Sequence, residues 1–257
     1  MIKRLVSGTV LQLAGQALQG EFLLADYLSF RRIARLKPVP LAGGDAAARE
    51  PARMALAYLR DAFGDKMPEL ESFRGVERKK TRLVLEMMEK GINSPLTSSC
   101  GRLFDAVSFL AGAAPPRVEF EAEAPMRLEA VSRRRARAGY PFEVDLSAAP
   151  WEISFAPAIR EIVREVRKGS GAARIGPKFH RALADAVTAV AVTARDVHGV
   201  DTVALVGGVF LNRELVSLAR TFLQDKEFTV LMPEKYSPND ESISIGQAAH
   251  ALARLAL

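Results

Sequence analysis

Residues 202–223, TVALVGGVFLNRELVSLARTFL, contain the pattern that decides the fold. A short aliphatic run ends at Gly207 and Gly208, and apolar residues then recur at three- and four-residue spacing, which is typical of a helix. The run FTVLMP at 228–233 predicts a second buried strand, and helical patterns precede and follow the pair. This alternation of helices and strands predicts a parallel α/β unit with right-handed crossovers.

The glycine pair between strand and helix indicates a place where a ligand can approach the backbone. Gly207 and Gly208 lie at the carboxyl end of the predicted strand, where open α/β sheets bind their ligands. Glycine leaves the amide groups uncovered, and the following helix directs its positive end to the same place, so a phosphate is the expected ligand. Asn212, in the first helical turn, could place its amide on a base or a sugar. Tight packing of the helix on the sheet is the alternative explanation of the glycines.

A second turn, YSPNDESISIGQAAHA at 236–251, follows the other predicted strand. Asp240 therefore also lies at the carboxyl end of a strand, where it could ligate a hard cation or cap the next helix. Gly246 could bring the last helix close to the sheet.

A third turn, SSCGRLFDAV at 98–107, opens a helix at Gly101 and places Asp105 one turn in. A carboxylate near a helix N-terminus is stabilised by the helix dipole, and it is a suitable acceptor for a ribose diol. A well-placed helix acid without a ligand is the alternative. The neighbouring Cys100 is expected to be a small packed residue rather than a nucleophile.

His180 is expected to be a satisfied core histidine rather than a ligand. No two histidines have HxxxH or HxH spacing, so the chain alone does not build a histidine-pair metal site.

Composition limits the class of protein. The 257 residues suffice for one large domain or two small ones, and the net charge of +6 suits an anionic ligand without requiring nucleic acid. The basic cluster SRRRARAG at 132–139 is interpreted as a solvated helix end or loop, with a phosphate-rich partner as the alternative. A single cysteine excludes an internal disulfide and fits a reducing cytoplasm, and no apolar run reaches the roughly 20 residues of a membrane span. We therefore expect a cytoplasmic protein.

The first part of the chain predicts a strand pair and then helices. Residues 20–30 read as a strand and 32–41 as its antiparallel partner, where two prolines favour a sheet edge. Residues of about 44–140 are predicted to be mainly helical. The first of these helices is expected to have Asp45 as its N-cap, to tolerate Pro51 in its first turns and to stop at Gly64. Residues 117–137 favour a further helix.

Three stretches together carry a family resemblance. GEFLLADY at 20–27 with FRRIARLKPVPLAGGDAAAREPARMALAYL at 30–59, SSCGRLFDAVSFLAG at 98–112, and VALVGGVFLNRELV with PNDESISIGQAAHA resemble the carboxy-terminal part of the hydrogenase maturation carbamoyltransferases, the HypF family. The resemblance implies an α/β lobe of the actin-like ATPase (ribonuclease H-like) fold, with a mixed sheet flanked by helices and a mostly helical insertion. It also implies kinship with the tRNA threonylcarbamoyl transferases.

The resemblance further implies ATP-dependent carbamoyl transfer. In the family, carbamoyl phosphate and ATP give carbamoyl adenylate, and the carbamoyl group passes to the C-terminal cysteine of a partner hydrogenase maturation protein. No catalytic residue is assigned. The residues that match the family's binding positions are Gly207 and Gly208 for the adenylate phosphate, Asn212 for the nucleotide, Gly101 and Asp105 for the ribose, and Asp240 for a divalent metal ion.

The chain also departs from the family. Residues 1–19 do not resemble it, because its histidine-rich metal motif and Asp-Gly-Thr-Gly turn are not found there; residues 20–257 match the C-terminal part of a Kae1-like carbamoyltransferase domain. The family's NDGG is NDES here, with Glu241 and Ser242 in place of glycines. Its EGQAA is EAEAP at 121–125.

These observations leave the enzymatic activity of the chain open. The first interpretation is a carbamoyltransferase-related protein that is incomplete without a second lobe, which a separate chain or self-association supplies. The alternative is a non-catalytic nucleotide-binding or protein-interaction module derived from that lobe. An antibiotic O-carbamoyltransferase is a third option, against which GGDAAAREPARMAL at 43–56 argues.

Overall fold

The computed structural model describes residues 10–14, 20–132 and 134–255. The chain divides into two compact units. The first unit comprises Met1–Arg35, Asp145–Glu152 and Leu183–Leu257, and the second comprises Leu36–Val144 and Ile153–Ala182.

From α7 onward, helices and strands alternate along the chain, as the periodicity predicts. The strands are β1 Val10–Ala14, β2 Glu21–Ala25, β3 Phe30–Leu36, β4 Val39–Pro40, β5 Leu96–Thr97, β6 Glu143–Asp145, β7 Trp151–Ser154, β8 Thr202–Leu205 and β9 Thr229–Leu231. The helices are α1 Asp45–Arg49, α2 Pro51–Phe63, α3 Arg78–Lys90, α4 Cys100–Leu110, α5 Glu123–Val131, α6 Ala156–Arg167, α7 Ala172–His198, α8 Arg213–Asp225 and α9 Ile243–Leu255.

A seven-stranded mixed sheet has the order β6-β7-β3-β2-β1-β8-β9. The predicted parallel pair is confirmed, because β8 and β9 run parallel with Val203 opposite Val230. The predicted antiparallel pair is also confirmed, since β2 and β3 pair antiparallel, but the turn between them, 26–29, lies inside the strand predicted over 20–30. The assignment of 32–41 to a sheet edge is wrong: β3 lies between β7 and β2, while Pro38 follows β3 and Pro40 lies in the separate two-stranded sheet of β4 and β5.

The helix predicted to begin at Asp45 is two helices. The chain breaks at Glu50 because the residue before a proline is pushed out of the helical region, and Pro51 then opens α2 at the position where proline is favoured. Gly44 rather than Asp45 is the N-cap of α1. The predicted stop at Gly64 is confirmed by a positive φ of 59°.

Two further predictions need correction. Among the described residues of the helix predicted over 117–137, only Glu123–Val131 are helical. Gly246 lies inside α9 rather than in a turn before it, and a Cβ added there would meet no described atom within 4 Å. Gly246 therefore does not bring α9 close to the sheet.

The basic cluster at 132–139 lies in a loop, and Arg134, Arg135 and Arg137 are exposed, as the interpretation of a solvated loop requires. Arg133 lies outside the described residues. The prediction that residues 1–19 depart from the family stays a prediction; of these residues, 10–14 form β1, and 1–9 and 15–19 lie outside the described part of the chain. Within the described residues, no helix has the length and apolarity required to span a membrane.

Candidate functional site

The turn after β8 begins with a residue that must be glycine. Gly207 has φ 103° and ψ 157°, a backbone conformation that residues with a Cβ rarely adopt. Its N–H donates to the Pro238 carbonyl oxygen at 2.6 Å. This hydrogen bond joins the glycine turn to the loop that follows β9, so the amide of Gly207 is used within the protein.

Gly208 is the open member of the pair. It is exposed, its φ is ordinary, and an added Cβ would meet no described atom within 4 Å. A 3-10 turn runs over Gly208–Leu211, and the first N–H groups of such a turn have no partner within it. The N–H groups of Gly208 and Val209 have no hydrogen-bond acceptor among the described residues. Two neighbouring donors are therefore available for an anion.

The sequence predicted that a helix follows the glycines directly. In the structure, the 3-10 turn lies between the glycines and α8. Asn212 is the N-cap of α8 rather than a residue of its first turn, and its Oδ1 accepts the N–H of Leu215 at 2.9 Å. Its side chain is buried. The structure thus gives Asn212 a capping role, and its contact with a nucleotide stays a prediction.

Asp240 opens a second 3-10 turn, Asp240–Ser242, at the end of the loop that carries Pro238. The N-cap of this turn is Asn239, whose Oδ1 accepts the N–H of Glu241 at 3.2 Å, so Asp240 does not cap the turn. The capping of α9 by Asp240 stays a prediction. Glu241 and Ser242, which stand in place of the family's glycines, have no positive φ. The turn itself therefore does not require glycine at these positions.

Asp240 fits a metal ion only as a single ligand. Its carboxylate is partly exposed, and no group of three or more His, Cys, Asp or Glu side chains that could hold a metal lies within the described residues. Mg²⁺ is commonly bound by one or two carboxylates together with substrate phosphates and waters. A metal ion at Asp240 would accordingly need phosphate oxygens to complete its coordination.

The second unit holds Gly101 and Asp105, both on α4. The N-cap is Ser99, whose Oγ accepts the N–H of Arg102 at 3.3 Å. Gly101 is the second residue of the helix rather than its opening residue, and a Cβ there would lie 3.5 Å from the Ser99 hydroxyl, an ordinary contact. Packing therefore does not explain why this position is glycine.

Asp105 is buried, with 3% of its surface exposed. Its Oδ2 lies 2.8 Å from Nη1 of Arg102, one turn earlier on the same helix. Burial raises the pKa of Asp105 to about 7, and the Arg102 guanidinium opposes that rise. The sequence predicted a carboxylate favoured by the helix dipole, but desolvation has the larger effect.

Two neighbours of Asp105 were not identified from the sequence. The contact of Arg102 with Asp105 could have been predicted, because residues three apart on a helix are neighbours on its surface. Tyr58 on α2 was not, since only the packing of α2 against α4 brings it into the electrostatic surroundings of Asp105 and Cys100. The Tyr58 hydroxyl is buried and has no hydrogen-bond partner among the described residues.

Cys100 and His180 behave as the sequence predicted. Burial raises the pKa of the Cys100 thiol to about 12, so it is a packed, protonated side chain. His180 is fully buried beside Phe104, and its Nδ1 donates to the Gly176 carbonyl oxygen at 2.8 Å. Neither residue has the setting of a nucleophile or a metal ligand.

The predicted site residues thus fall into two groups. The first unit brings the turn at Gly207 and Gly208 against the loop that leads to Asp240. The second unit carries Gly101 and Asp105.

Comparison with known proteins identifies the family. The model of the carbamoyltransferase Kae1-like domain, second subdomain, matches residues 14–247. Carbamoyltransferase HypF of Rhodobacter capsulatus is 38% identical over 236 residues, which are 92% of this chain and 30% of that protein. A carbamoyltransferase HypF homolog of Cupriavidus necator is 34% identical over 251 residues, 95% of this chain and 63% of that protein.

Similar solved structures are also HypF proteins. A crystal structure described as full-length HypF in the phosphate- and nucleotide-bound form has a TM-score of 0.84 at 29% identity, over 95% of this chain and 39% of that one. The HypF of T. kodakarensis has a TM-score of 0.78 at 25% identity, over 98% of this chain and 35% of that one. The chain spans about a third of the HypF proteins from Rhodobacter capsulatus and T. kodakarensis. The chain therefore belongs to the HypF carbamoyltransferase family, in which residues 14–247 correspond to the second subdomain of the Kae1-like domain.

Proposed function

We propose that this chain supplies phosphate- and ribose-contacting residues to a carbamoyltransferase of nickel–iron hydrogenase maturation. The observation that carries the proposal is the open turn at Gly208. Two neighbouring N–H groups at the carboxyl end of β8 have no acceptor among the described residues, and the turn is tied to the loop of Asp240. Donors in this position suit a nucleotide phosphate.

The proposed reaction makes carbamoyl adenylate from carbamoyl phosphate, water and ATP, with release of phosphate and pyrophosphate. The carbamoyl group then passes to the C-terminal cysteine thiolate of a partner maturation protein, and AMP leaves. Such an adenylate is an activated anhydride, and its formation is favoured by donors fixed in advance around the phosphate oxygens. Gly208 and Val209 would donate to those oxygens. A divalent metal ion held by Asp240 would neutralise phosphate charge.

Asp105 would accept hydrogen bonds from the ribose hydroxyls. The ionised carboxylate is the stronger acceptor for this role, and the contact with Arg102 favours that form. The structure of full-length HypF described as phosphate- and nucleotide-bound supports the proposal that this chain contacts a nucleotide.

Carbamoyl transfer would need more than this chain, which spans about a third of the relative from Rhodobacter capsulatus. We expect weak nucleotide binding and no carbamoyl transfer by the chain alone. A second lobe, from a separate chain or from self-association, would complete the enzyme.

A non-catalytic interaction module is the second candidate, and the exposure of α9 favours it: no residue from Ile243 to Leu255 is buried in the described structure. Such a module would bind protein but would bind no nucleotide at the Gly208 turn.

Calorimetric titration with a non-hydrolysable ATP analogue and Mg²⁺ tests the nucleotide proposal. We expect binding by the wild type and loss of most of it in Gly208→Val, because the added side chain would occupy the space of the phosphate, and its Cβ would meet no described atom within 4 Å. Gly75→Val is the matched control, since Gly75 is also exposed, with an ordinary φ and open space. No heat with the wild type, or equal binding by Gly208→Val, would count against the proposal.

A further inference from the structure

Helices α2 and α4 of the second unit pack against each other and enclose polar atoms that lack partners. Among the described residues, three such atoms make no hydrogen bond although they are shielded from solvent: the Tyr58 hydroxyl on α2, and Nη1 of Arg102 and Oδ2 of Asp105 on α4. Buried polar atoms in folded proteins are nearly always paired. Their concentration at one helix interface therefore needs a physical explanation.

Arg102 and Asp105 do not satisfy each other. Nη1 of Arg102 lies 2.8 Å from Oδ2 of Asp105, but the contact lacks the alignment of a hydrogen bond. Attraction between opposite charges holds this pair together. The Arg102 N–H group can still donate, and the Asp105 oxygen can still accept.

The Tyr58 hydroxyl lies within electrostatic range of both groups. Its ionisable neighbours are Cys100, Asp61, Asp105 and Arg102. A thiol is a weak donor, and a carboxylate such as that of Asp61 offers acceptors only. The Tyr58 hydroxyl is therefore the uncharged donor that suits Asp105.

One water molecule matches what the three atoms offer. It can accept hydrogen bonds from the Tyr58 O–H and the Arg102 N–H and donate one to Asp105, and buried waters typically make about three such bonds. We propose that an internal water molecule held in this way makes Tyr58 a positioning residue for the Asp105 carboxylate. The consequence for nucleotide binding rests on the proposed function, in which Asp105 meets the ribose.

Titration of Asp105 tests the proposal without any nucleotide. Donors around a carboxylate favour its ionised form, so Tyr58→Phe should raise the pKa of Asp105 and move its titration midpoint upward by about one pH unit. The ¹³C NMR signal of the labelled carboxyl, identified by its loss in Asp105→Asn, reports this midpoint. Tyr140→Phe is the matched control, because Tyr140 is also buried but its hydroxyl donates to Glu165 at 3.1 Å.

An unchanged Asp105 midpoint in Tyr58→Phe would overturn the proposal. A hydroxyl that simply lacks a partner would give that result, and its removal would also raise the free energy of unfolding. A crystal structure of the wild type is a second measurement, which needs no variant. It should show a water oxygen about 3 Å from the Tyr58 hydroxyl and from Oδ2 of Asp105, and a direct hydrogen bond between the two residues would overturn the proposal as well.

Titration with the ATP analogue separates this inference from the proposed function. At pH 7 Tyr58→Phe should bind about fivefold more weakly than the wild type, and at pH 9, where Asp105 is ionised in both proteins, the two should bind almost equally. Equal loss at both pH values would give Tyr58 a merely structural role and overturn the proposal. Absence of binding by the wild type would refute the proposed function, and the Asp105 midpoint would still decide the role of Tyr58.

Discussion

Ala122 has a left-handed backbone, with φ 62°, at the N-cap of α5. The resemblance matches it to the glycine of the family's EGQAA stretch, and the backbone explains why glycine would suit this place: an L-residue there costs roughly 1–2 kcal/mol. The departure from the family therefore has a local cost in stability. The substitution at Glu241 and Ser242 has no such cost, because neither residue has a positive φ.

We predict that Ala122→Gly stabilises the protein by about 0.5–1 kcal/mol, the relief of left-handed strain less the extra chain entropy of glycine. Urea unfolding measures the change. Ala130→Gly is the control, because Ala130 is exposed within the same helix with an ordinary φ, and its replacement should destabilise by a similar amount. A lower midpoint for Ala122→Gly would refute the strain argument.

Asp105 makes stability depend on pH. The folded protein holds this proton up to about pH 7, against an ordinary value of 3.8, so between these values the folded state binds more protons than the unfolded chain. The free energy of unfolding should therefore fall as pH rises from about 4 to 7, by at most roughly 4 kcal/mol from this group. In Asp105→Asn that part of the fall disappears.

Urea unfolding at a series of pH values checks this prediction. Asp145→Asn is the control: hydrogen bonds from the Ser147 side chain and backbone lower the pKa of Asp145, so its removal should leave the fall between pH 4 and 7 in place. If Asp105→Asn kept the wild-type pH dependence, the buried carboxyl would not be its source.

At the scale of elements, two helical glycines have opposite surroundings. A Cβ at Gly176 of α7 would lie well inside contact distance of the Ser132 hydroxyl and within 3.2 Å of Leu128, both at the end of α5. A Cβ at Gly246 of α9 would meet no described atom within 4 Å. Gly176 thus permits the close approach of α5 and α7 in the second unit, whereas Gly246 has no such function.

We predict that Gly176→Ala destabilises the protein by about 1–3 kcal/mol through overpacking, although alanine is the better helix former. Adding Ser132→Ala should recover part of the loss, because it removes the nearest atom. Gly246→Ala should instead slow amide exchange within α9. Thermal unfolding and hydrogen exchange measure these effects, and a stabilised Gly176→Ala protein would contradict the close packing.

Periodicity predicted the elements well, because burial on one face imposes it. It predicted β8, β9, α7 and α8, and the stop at Gly64 could be predicted because glycine readily adopts a positive φ. The features that periodicity missed depend on the local preferences of single residues or on tertiary contacts. The break at Glu50 follows from Pro51, and the 3-10 turn after Gly208 has no periodic signal.

The sequence identified candidate site residues, but it did not predict their hydrogen bonds or their burial. The sequence marked Gly207 and Gly208 alike, yet a hydrogen bond to Pro238 uses one amide and leaves the other open. It marked Asp105, but not the burial that raises its pKa, since that burial comes from the packing of α4 against neighbouring helices. Asn212 and Asn239 turned out to be caps, a role that their residue type allows at many positions.

At the scale of the molecule, each unit contributes its own part of the proposed function. The first unit carries the turn of Gly208, the loop of Asp240 and the exposed helix α9, and the second carries Asp105 with Arg102. The family relationship extends over both, since the matched residues 14–247 include all of the second unit and most of the first. A description of the chain as the second subdomain of a carbamoyltransferase therefore accounts for its fold as a whole.

The central claim is that the turn at Gly208 binds a nucleotide phosphate. A crystal structure of the chain with a non-hydrolysable ATP analogue and Mg²⁺ tests it most directly. The account predicts phosphate oxygens about 3 Å from the Gly208 amide nitrogen and a metal ion about 2.1 Å from an Asp240 carboxylate oxygen. A nucleotide bound elsewhere, with no phosphate at Gly208, would contradict it.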